Sequence, residues 1–310
     1  MPKEPVEAKD LNVHEIGRYA GEPFKSREYE RAWKIYSYRE ACFYGEKGRN
    51  LGIPPWQGES LQGKTISLGY EQTLGEQIMF SSILPDVARE GGNAVIEVDK
   101  RLVTLIQRSF PSFTVVPWEA PWNTNMYSGD YYALLGNLGT HFRTTDKSFL
   151  TPQRWLVSDT NKVAKIPDSK AIIGISWWSP ASYDGDTKSI PLDDFASVHS
   201  NRGVTCVDLQ YGRKLLNDSM YRDKSVDLTY DIDRVASLID QCDLVITISN
   251  TVAHLAGALG KDTYLLMSNN KARHWYWDTL FYPTVKRVEK QKDTLWSEII
   301  AQIVKKVVDT

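Results

Sequence analysis

Leu244-Val245-Ile246-Thr247-Ile248-Ser249-Asn250-Thr251-Val252-Ala253-His254-Leu255-Ala256-Gly257-Ala258-Leu259-Gly260 places a strand, a turn and a helix end to end. Leu244 to Ile248 is a short, uninterrupted apolar run rich in β-branched residues, the pattern of a strand buried on both faces. Residues 251–259 then change period. Val252, Leu255, Ala256 and Leu259 fall on one helical face, and Gly260 closes the helix. Asn250 or Thr251 can cap the first turn. In open parallel sheets ligands sit beyond the carboxyl ends of strands, and a helix that starts there offers unpaired N–H groups and a partial positive charge. Thr251 could donate its hydroxyl to a phosphate, and His254, one turn in, could reach a second phosphate oxygen. The competing reading is an ordinary capped helix with a partly exposed histidine.

Outward from this unit the alternation repeats. Upstream, Ala171 to Ser176 reads as a buried strand, and a helix near 192–200 leads to the strand Val204–Leu209. Val235, Leu238, Ile239 and Cys242 mark one helical face. Downstream come the strand Thr263–Met267 and an amphipathic helix carrying Trp296, Ile299, Ile300, Ile303, Val304 and Val307. An earlier series has the same grammar: strands at 65–69, 94–98 and 113–117, with helices over 75–90 and around Leu102, Leu105 and Ile106. Strand and helix alternating at this spacing predict βαβ units and parallel sheets. The fold class is therefore α/β, with two Rossmann-like, doubly wound lobes in series. Residues 118–165 are hard to read. The first ~25 residues are polar and read as loose, and 27–45 read as one helix with Tyr29, Ala32, Trp33 and Tyr36 on its apolar stripe. The expected division is an N-terminal arm over 1–55, a first lobe over 56–167 and a second over 168–310.

Composition narrows the function classes. A chain of 310 residues is comfortable for two domains, and its formal net charge of −2, with no basic tract, gives nucleic acid little electrostatic purchase. Three widely spaced cysteines, Cys42, Cys206 and Cys242, argue against a disulfide framework or a zinc site, and the last two read as buried thiols. The N-terminus has no apolar core of a signal peptide, and no apolar run is long enough to span a bilayer; the expectation is a cytoplasmic protein without a transmembrane segment.

Gly58-Glu59-Ser60-Leu61-Gln62-Gly63-Lys64-Thr65 matches the phosphate-loop pattern letter by letter. Such a loop needs a strand before it and a helix after it. Here Ile53-Pro54-Pro55-Trp56 precedes and a β run follows, so the match is set aside. No GxGxxG fingerprint occurs. Asp184-Gly185-Asp186 has the spacing of a metal-binding carboxylate pair but lies in a polar loop and reads as solvated.

Several segments, in order, resemble the ADP-heptose:lipopolysaccharide heptosyltransferase-like family, and most closely its branch linked to tetratricopeptide repeats. Trp56 to Thr65 is similar to a W-x-G-E-x-L-x-G-K-T segment, and Glu71-Gln72-Thr73-Leu74-Gly75-Glu76-Gln77-Ile78-Met79-Phe80 to E-Q-G-L-G-D-x-I-x-F. Gly174 to Trp177, Lys188 to Pro191, Leu209-Gln210, Asp243 to Ile246 and the 248–261 string follow in sequence. The resemblance implies a glycosyltransferase B fold, with acceptor on the first lobe and a nucleotide-sugar donor on the second. It implies that Asn250, Thr251 and the amides after them hold the diphosphate, that Lys188 neutralises it and that Gln210 lies by the nucleotide. Gly75, Ser176, Ser249, Val252 and His254 complete the expected donor set. Glu76 stands where the family has an aspartate general base, and Ser249-Asn250 replaces its Asp-Thr pair. The arm would be the remnant or end of a repeat array.

The reading is thus an inverting, metal-independent glycosyltransferase with no cofactor beyond its nucleotide-sugar donor and with a glycan or protein hydroxyl as acceptor. The alternatives are a degenerate module that binds sugars or proteins, suggested by the changes at 76 and 249–250, and a nucleotide-sugar epimerase on the same fold.

Overall fold

The computed structural model describes residues 11–44, 52–118, 129–149, 154–162, 164–181, 185–212, 218–267 and 274–309. The chain divides into two compact units: Met1–Thr151 with His274–Phe281, and Pro152–Arg273 with Tyr282–Thr310.

The N-terminal unit opens with three helices, α1 (Val13–Lys25), α2 (Tyr29–Ser37) and α3 (Arg39–Tyr44). The first of these lies in a stretch that reads as loose in sequence. Gly17, Gly21 and Pro23 look like breakers, yet the helix has an Asn12/Glu15 capping box and buries Ile16, Ala20 and Phe24. Both glycines face Trp275, where an added Cβ would make ordinary contact, at 3.9 Å from Gly17 and 3.5 Å from Gly21. Trp275 stacks on Phe24 at 4.0 Å and meets Trp33 and Tyr36 edge-on, so the 274–281 segment helps build the core of this unit. The single helix expected over 27–45 is two, α2 and α3, meeting at Tyr38.

A four-stranded parallel sheet follows, ordered β3-β2-β1-β4, from β1 (Thr65–Gly69), β2 (Asn93–Val98), β3 (Thr114–Pro117) and β4 (Tyr131–Leu134). The expected helix at 75–90 is interrupted: α4 (Leu74–Phe80), a 3-10 turn at Ser81–Ile83, then α5 (Leu84–Arg89). Pro85, which has no N–H to continue the ladder, sits in the first turn of α5. The helices α6 (Val103–Ser109) and α7 (Gly139–Phe142) complete the unit. β4 falls in the stretch that sequence left unread. The segment with the phosphate-loop letters turns at Gly58 (φ 101°) and Gly63 (φ 68°) and runs into β1. Trp56 stacks on Phe142, so the motif packs as a turn.

The C-terminal unit is a five-stranded parallel sheet ordered β6-β5-β7-β8-β9, from β5 (Ala171–Ser176), β6 (Val204–Asp208), β7 (Leu244–Ile248), β8 (Thr263–Met267) and β9 (Val285–Glu289). Its helices are α8 (Gly185–Lys188), α9 (Ala196–His199), α10 (Ile232–Asp240), α11 (Thr251–Ala258) and α12 (Trp296–Val308). β7 is buried along its whole length, as its composition requires. β9 is an edge strand whose Lys286, Arg287 and Glu289 hid it from an apolar-run search. Trp296, Ile300, Ile303 and Val304 of α12 join Ile173, Ile175, Phe195, Val198 and Ile246 in one core. Cys206 and Cys242 are buried free thiols. The segment 154–162 belongs to this unit: Trp155 and Leu156 both donate to the Ala258 carbonyl, at 3.0 and 3.1 Å.

Candidate functional site

The two sheets share one topological feature. In the C-terminal unit the chain leaves β5 for β6 on one side, then crosses back to β7 on the other. In the N-terminal unit it leaves β1 for β2 and β3, then returns to β4 on the opposite side. The switch points therefore lie beyond the carboxyl ends of β5 and β7, and of β1 and β4. Crevices at such points are where open α/β sheets bind ligands.

At the C-terminal switch point three strand ends are tied by side chains. Asn250 is the N-cap of α11, its Oδ1 accepting from Val252 N at 3.0 Å and Ala253 N at 3.4 Å. Its Nδ2 donates to Ser176 Oγ, at the end of β5, at 2.8 Å. Ser176 Oγ in turn donates to Gln210 Oε1 at 3.2 Å. Gln210, just past β6, is spent on the backbone: Oε1 accepts from Trp177 N (2.9 Å) and Trp178 N (2.8 Å), and Nε2 donates to the carbonyls of Trp178 (3.1 Å) and Tyr211 (2.7 Å). All three side chains are buried. Such a saturated network fixes the shape of the turn.

Thr251 follows the cap beside Tyr211, whose phenol burial pushes up in pKa against the opposing influence of the Thr251 side chain and backbone. Nothing in the sequence marks Tyr211, although it directly follows Gln210. Ser249 is buried at the end of β7. His254 turns into the core, with Nδ1 2.6 Å from the Tyr282 hydroxyl and the rings edge to face. Lys188 ends α8, on the excursion that leaves β5, and is buried. The structure thus brings Ser176, Gln210, Asn250, Thr251 and Val252 into one connected turn and directs His254 to Tyr282. The Asp184 end of the Asp-Gly-Asp triplet lies outside the described residues, among which no group of three or more His, Cys, Asp or Glu is placed to hold a metal.

At the N-terminal switch point Glu71, in the loop leaving β1, is wholly buried and meets Arg39 of α3 through Nη2–Oε1 (2.6 Å) and Nε–Oε2 (3.2 Å). The Gly136 N–H, just past β4, donates to Glu71 Oε1 at 2.6 Å. A Cβ at Gly136 would sit 2.6 Å from Arg39 Nη2, so only glycine fits beside the pair. Gly75 and Glu76 occupy the first turn of α4. Thr73 and Glu76 form a capping box: Thr73 Oγ1 accepts from Glu76 N (3.2 Å), and Glu76 Oε2 accepts from Thr73 N (3.2 Å) and Thr73 Oγ1 (3.1 Å). Tyr36 Oη of α2 donates to Glu76 Oε1 at 3.3 Å. Burial, and after it the Glu71 charge, push the Glu76 carboxyl up to about 7, against Arg39 and the hydrogen bonds from Thr73 and Tyr36. In sequence Glu71 stands in a motif with no evident role, Tyr36 reads as part of an apolar stripe, and nothing marks Arg39.

Two Rossmann-like lobes, each with polar side chains at its switch point, define the glycosyltransferase B class of fold, and solved structures agree. A family 9 glycosyl transferase from Veillonella parvula superposes with a TM-score of 0.57 at 11% identity, over 80% of this chain and 98% of that one. The ADP-heptose lipopolysaccharide heptosyltransferase II of Escherichia coli gives 0.53 at 12% identity, over 79% and 98%. Among curated proteins, FlbA of Caulobacter vibrioides is 27% identical over 87% of this chain, which spans about half (51%) of its length. No family model matches the chain.

Proposed function

We propose that this chain is an inverting glycosyltransferase that moves a sugar from a nucleoside diphosphate to a hydroxyl acceptor without a metal. The observation that carries the reading is the placement of Ser176, Asn250 and Thr251 at the switch point between β5 and β7, at the N-terminus of α11. That is where a diphosphate gains most from helix-end donors. The folds of the family 9 and heptosyltransferase structures support it. Asn250 already satisfies the amides of Val252 and Ala253. The donor's phosphates would therefore meet Thr251, with Lys188 supplying positive charge. In the first lobe Glu76 would take the proton of the acceptor hydroxyl as that oxygen bonds to the anomeric carbon. The bond from this carbon to the phosphate oxygen breaks on the opposite face, and the diphosphate leaves with the electron pair. We place the acceptor on the first lobe and the nucleotide sugar on the second, and read α1 and α2 as the end of a repeat-like helical array.

Thermal shift against ADP-, GDP-, UDP- and CMP-sugars, followed by calorimetry on the best, tests the donor half. Lys188→Ala and Thr251→Val should both bind more weakly; unchanged affinity in both counts against the site. A chelator should leave binding and transfer intact, and loss of either on chelation refutes the metal-free step.

A second reading is favoured by a specific observation. The helix-end amides of Val252 and Ala253 are already engaged by Asn250, and both Glu76 oxygens by Thr73 and Tyr36. A degenerate binding module would have this appearance. Nucleotide binding with no turnover on any acceptor would favour it.

A further inference from the structure

Glu76 is not held by its own helix alone. α2 delivers the Tyr36 hydroxyl to Oε1, while the capping box holds Oε2. Arg39, one residue past the α2–α3 junction, is wholly buried and is fixed on four sides. It grips Glu71 through two nitrogens, and its Nη1 donates to the Tyr36 carbonyl (3.0 Å) and to Asn137 Oδ1 (2.8 Å). Its guanidinium also lies 4.2 Å over the Tyr36 ring. The Arg39 contacts therefore orient the ring whose hydroxyl reaches Glu76. They also neutralise Glu71, the second carboxylate of the cluster.

The charged and titratable groups that face Glu76 are Tyr36 from α2, Arg39 from α3, and Glu71 and Tyr70 from the loop leaving β1. A donated hydrogen bond and a nearby cation favour the ionised carboxylate, whereas Glu71 and burial oppose it.

We propose that Tyr36 and Arg39, on the helices that precede the first sheet, are positioning residues for Glu76: Tyr36 holds one carboxylate oxygen, and Arg39 fixes Tyr36 and cancels the charge of Glu71. This makes the N-terminal helical arm part of the machinery of proton abstraction. The proposal rests on the reading of Glu76 as the base. In the transfer step the acceptor hydroxyl loses its proton to the open lone pair of Glu76 Oε1, since Oε2 already accepts twice from Thr73, and the Tyr36 hydroxyl keeps its own proton while holding Oε1 in place.

The experiment is a carbon-13 titration of the Glu76 side chain in the full chain, compared among wild type, Tyr36→Phe, Arg39→Lys and the control Tyr38→Phe, beside the pH profile of kcat/KM. Tyr36→Phe should raise the Glu76 midpoint by roughly half a pH unit or more, the order expected for losing one hydrogen bond to a carboxylate. Its kcat/KM should fall about threefold on the acid limb and recover on the alkaline plateau. Arg39→Lys should shift the midpoint in the same direction, and Tyr38→Phe should not move it. A Glu76 midpoint unmoved in a folded Tyr36→Phe overturns the proposal even if Arg39→Lys does not fold. If the midpoints shift as expected but Glu76→Gln transfers sugar at the wild-type rate, the base assignment fails instead and the positioning role falls with it.

Discussion

Asn250 Nδ2 donates to Ser176 Oγ at 2.8 Å, joining the N-cap of α11 to the end of β5. The same side chain uses its Oδ1 to cap the helix. One amide group thus does two tasks with opposite polarity, which an ionised aspartate, an acceptor only, cannot do. Replacement by alanine should cost ~1 kcal/mol of stability, the usual worth of an N-cap. Asn250→Asp should separate the two tasks. It retains a capping acceptor and adds charge favourable to the helix end, but it loses the donor to Ser176 and repels a diphosphate. Thermal unfolding should change little in this variant, while calorimetry shows nucleoside diphosphate binding weakened by tenfold or more, about 1.4 kcal/mol.

Tyr211 lies beside Thr251, where the proposed diphosphate would bind. Tyr211→Phe removes the hydroxyl and keeps the ring. Nucleoside diphosphate affinity should rise several-fold in calorimetry; a fall would mean that the phenol contacts the ligand.

The Arg39–Glu71 pair, with side chains 1% and 0% exposed, should be costly to break from one side. Arg39→Ala leaves a buried carboxylate without its cation and should destabilise the chain by about 3–5 kcal/mol in urea unfolding. A loss below ~1 kcal/mol, the range of exposed pairs, would show that Glu71 finds water or a proton instead.

How much of this was legible in sequence differs between the lobes. The second lobe could be read because its strands are short apolar runs, and because the signal at 244–260 is local: a β-branched run, a capping Asn250 and a small-residue helix. β9 escaped because an edge strand can afford Lys286, Arg287 and Glu289. α1 escaped because Gly17, Gly21 and Pro23 look like breakers, while its apolar face packs on Trp275, more than 250 positions away in sequence. Separations of 32 to 65 positions hid the surroundings of Glu76 and Glu71. The Glu76 capping box with Thr73 follows from spacing, but nothing at Tyr36, Arg39 or Gly136 announces that those residues converge on one carboxylate cluster.

With its carboxyl pushed up to about 7, Glu76 is partly protonated at neutral pH. A base must be ionised, so kcat/KM should climb tenfold per pH unit well below that value and level off above it. The sign for stability is the reverse. The folded chain binds this proton more tightly than the unfolded one, so the contribution is full below the ordinary glutamate value and is lost as pH rises through about 7. Glu76→Gln should therefore flatten both the rate profile and this part of the stability profile.

The most direct test of the central claim compares Glu76→Gln with wild type in donor binding and in sugar transfer to the true acceptor. The amide keeps the size of the side chain and removes its basic charge. General-base assistance is typically worth about 10²–10⁴ in rate. The expected result is unchanged donor affinity with transfer reduced at least roughly a hundredfold, an order taken from that range. Wild-type rates of transfer in Glu76→Gln would contradict the account.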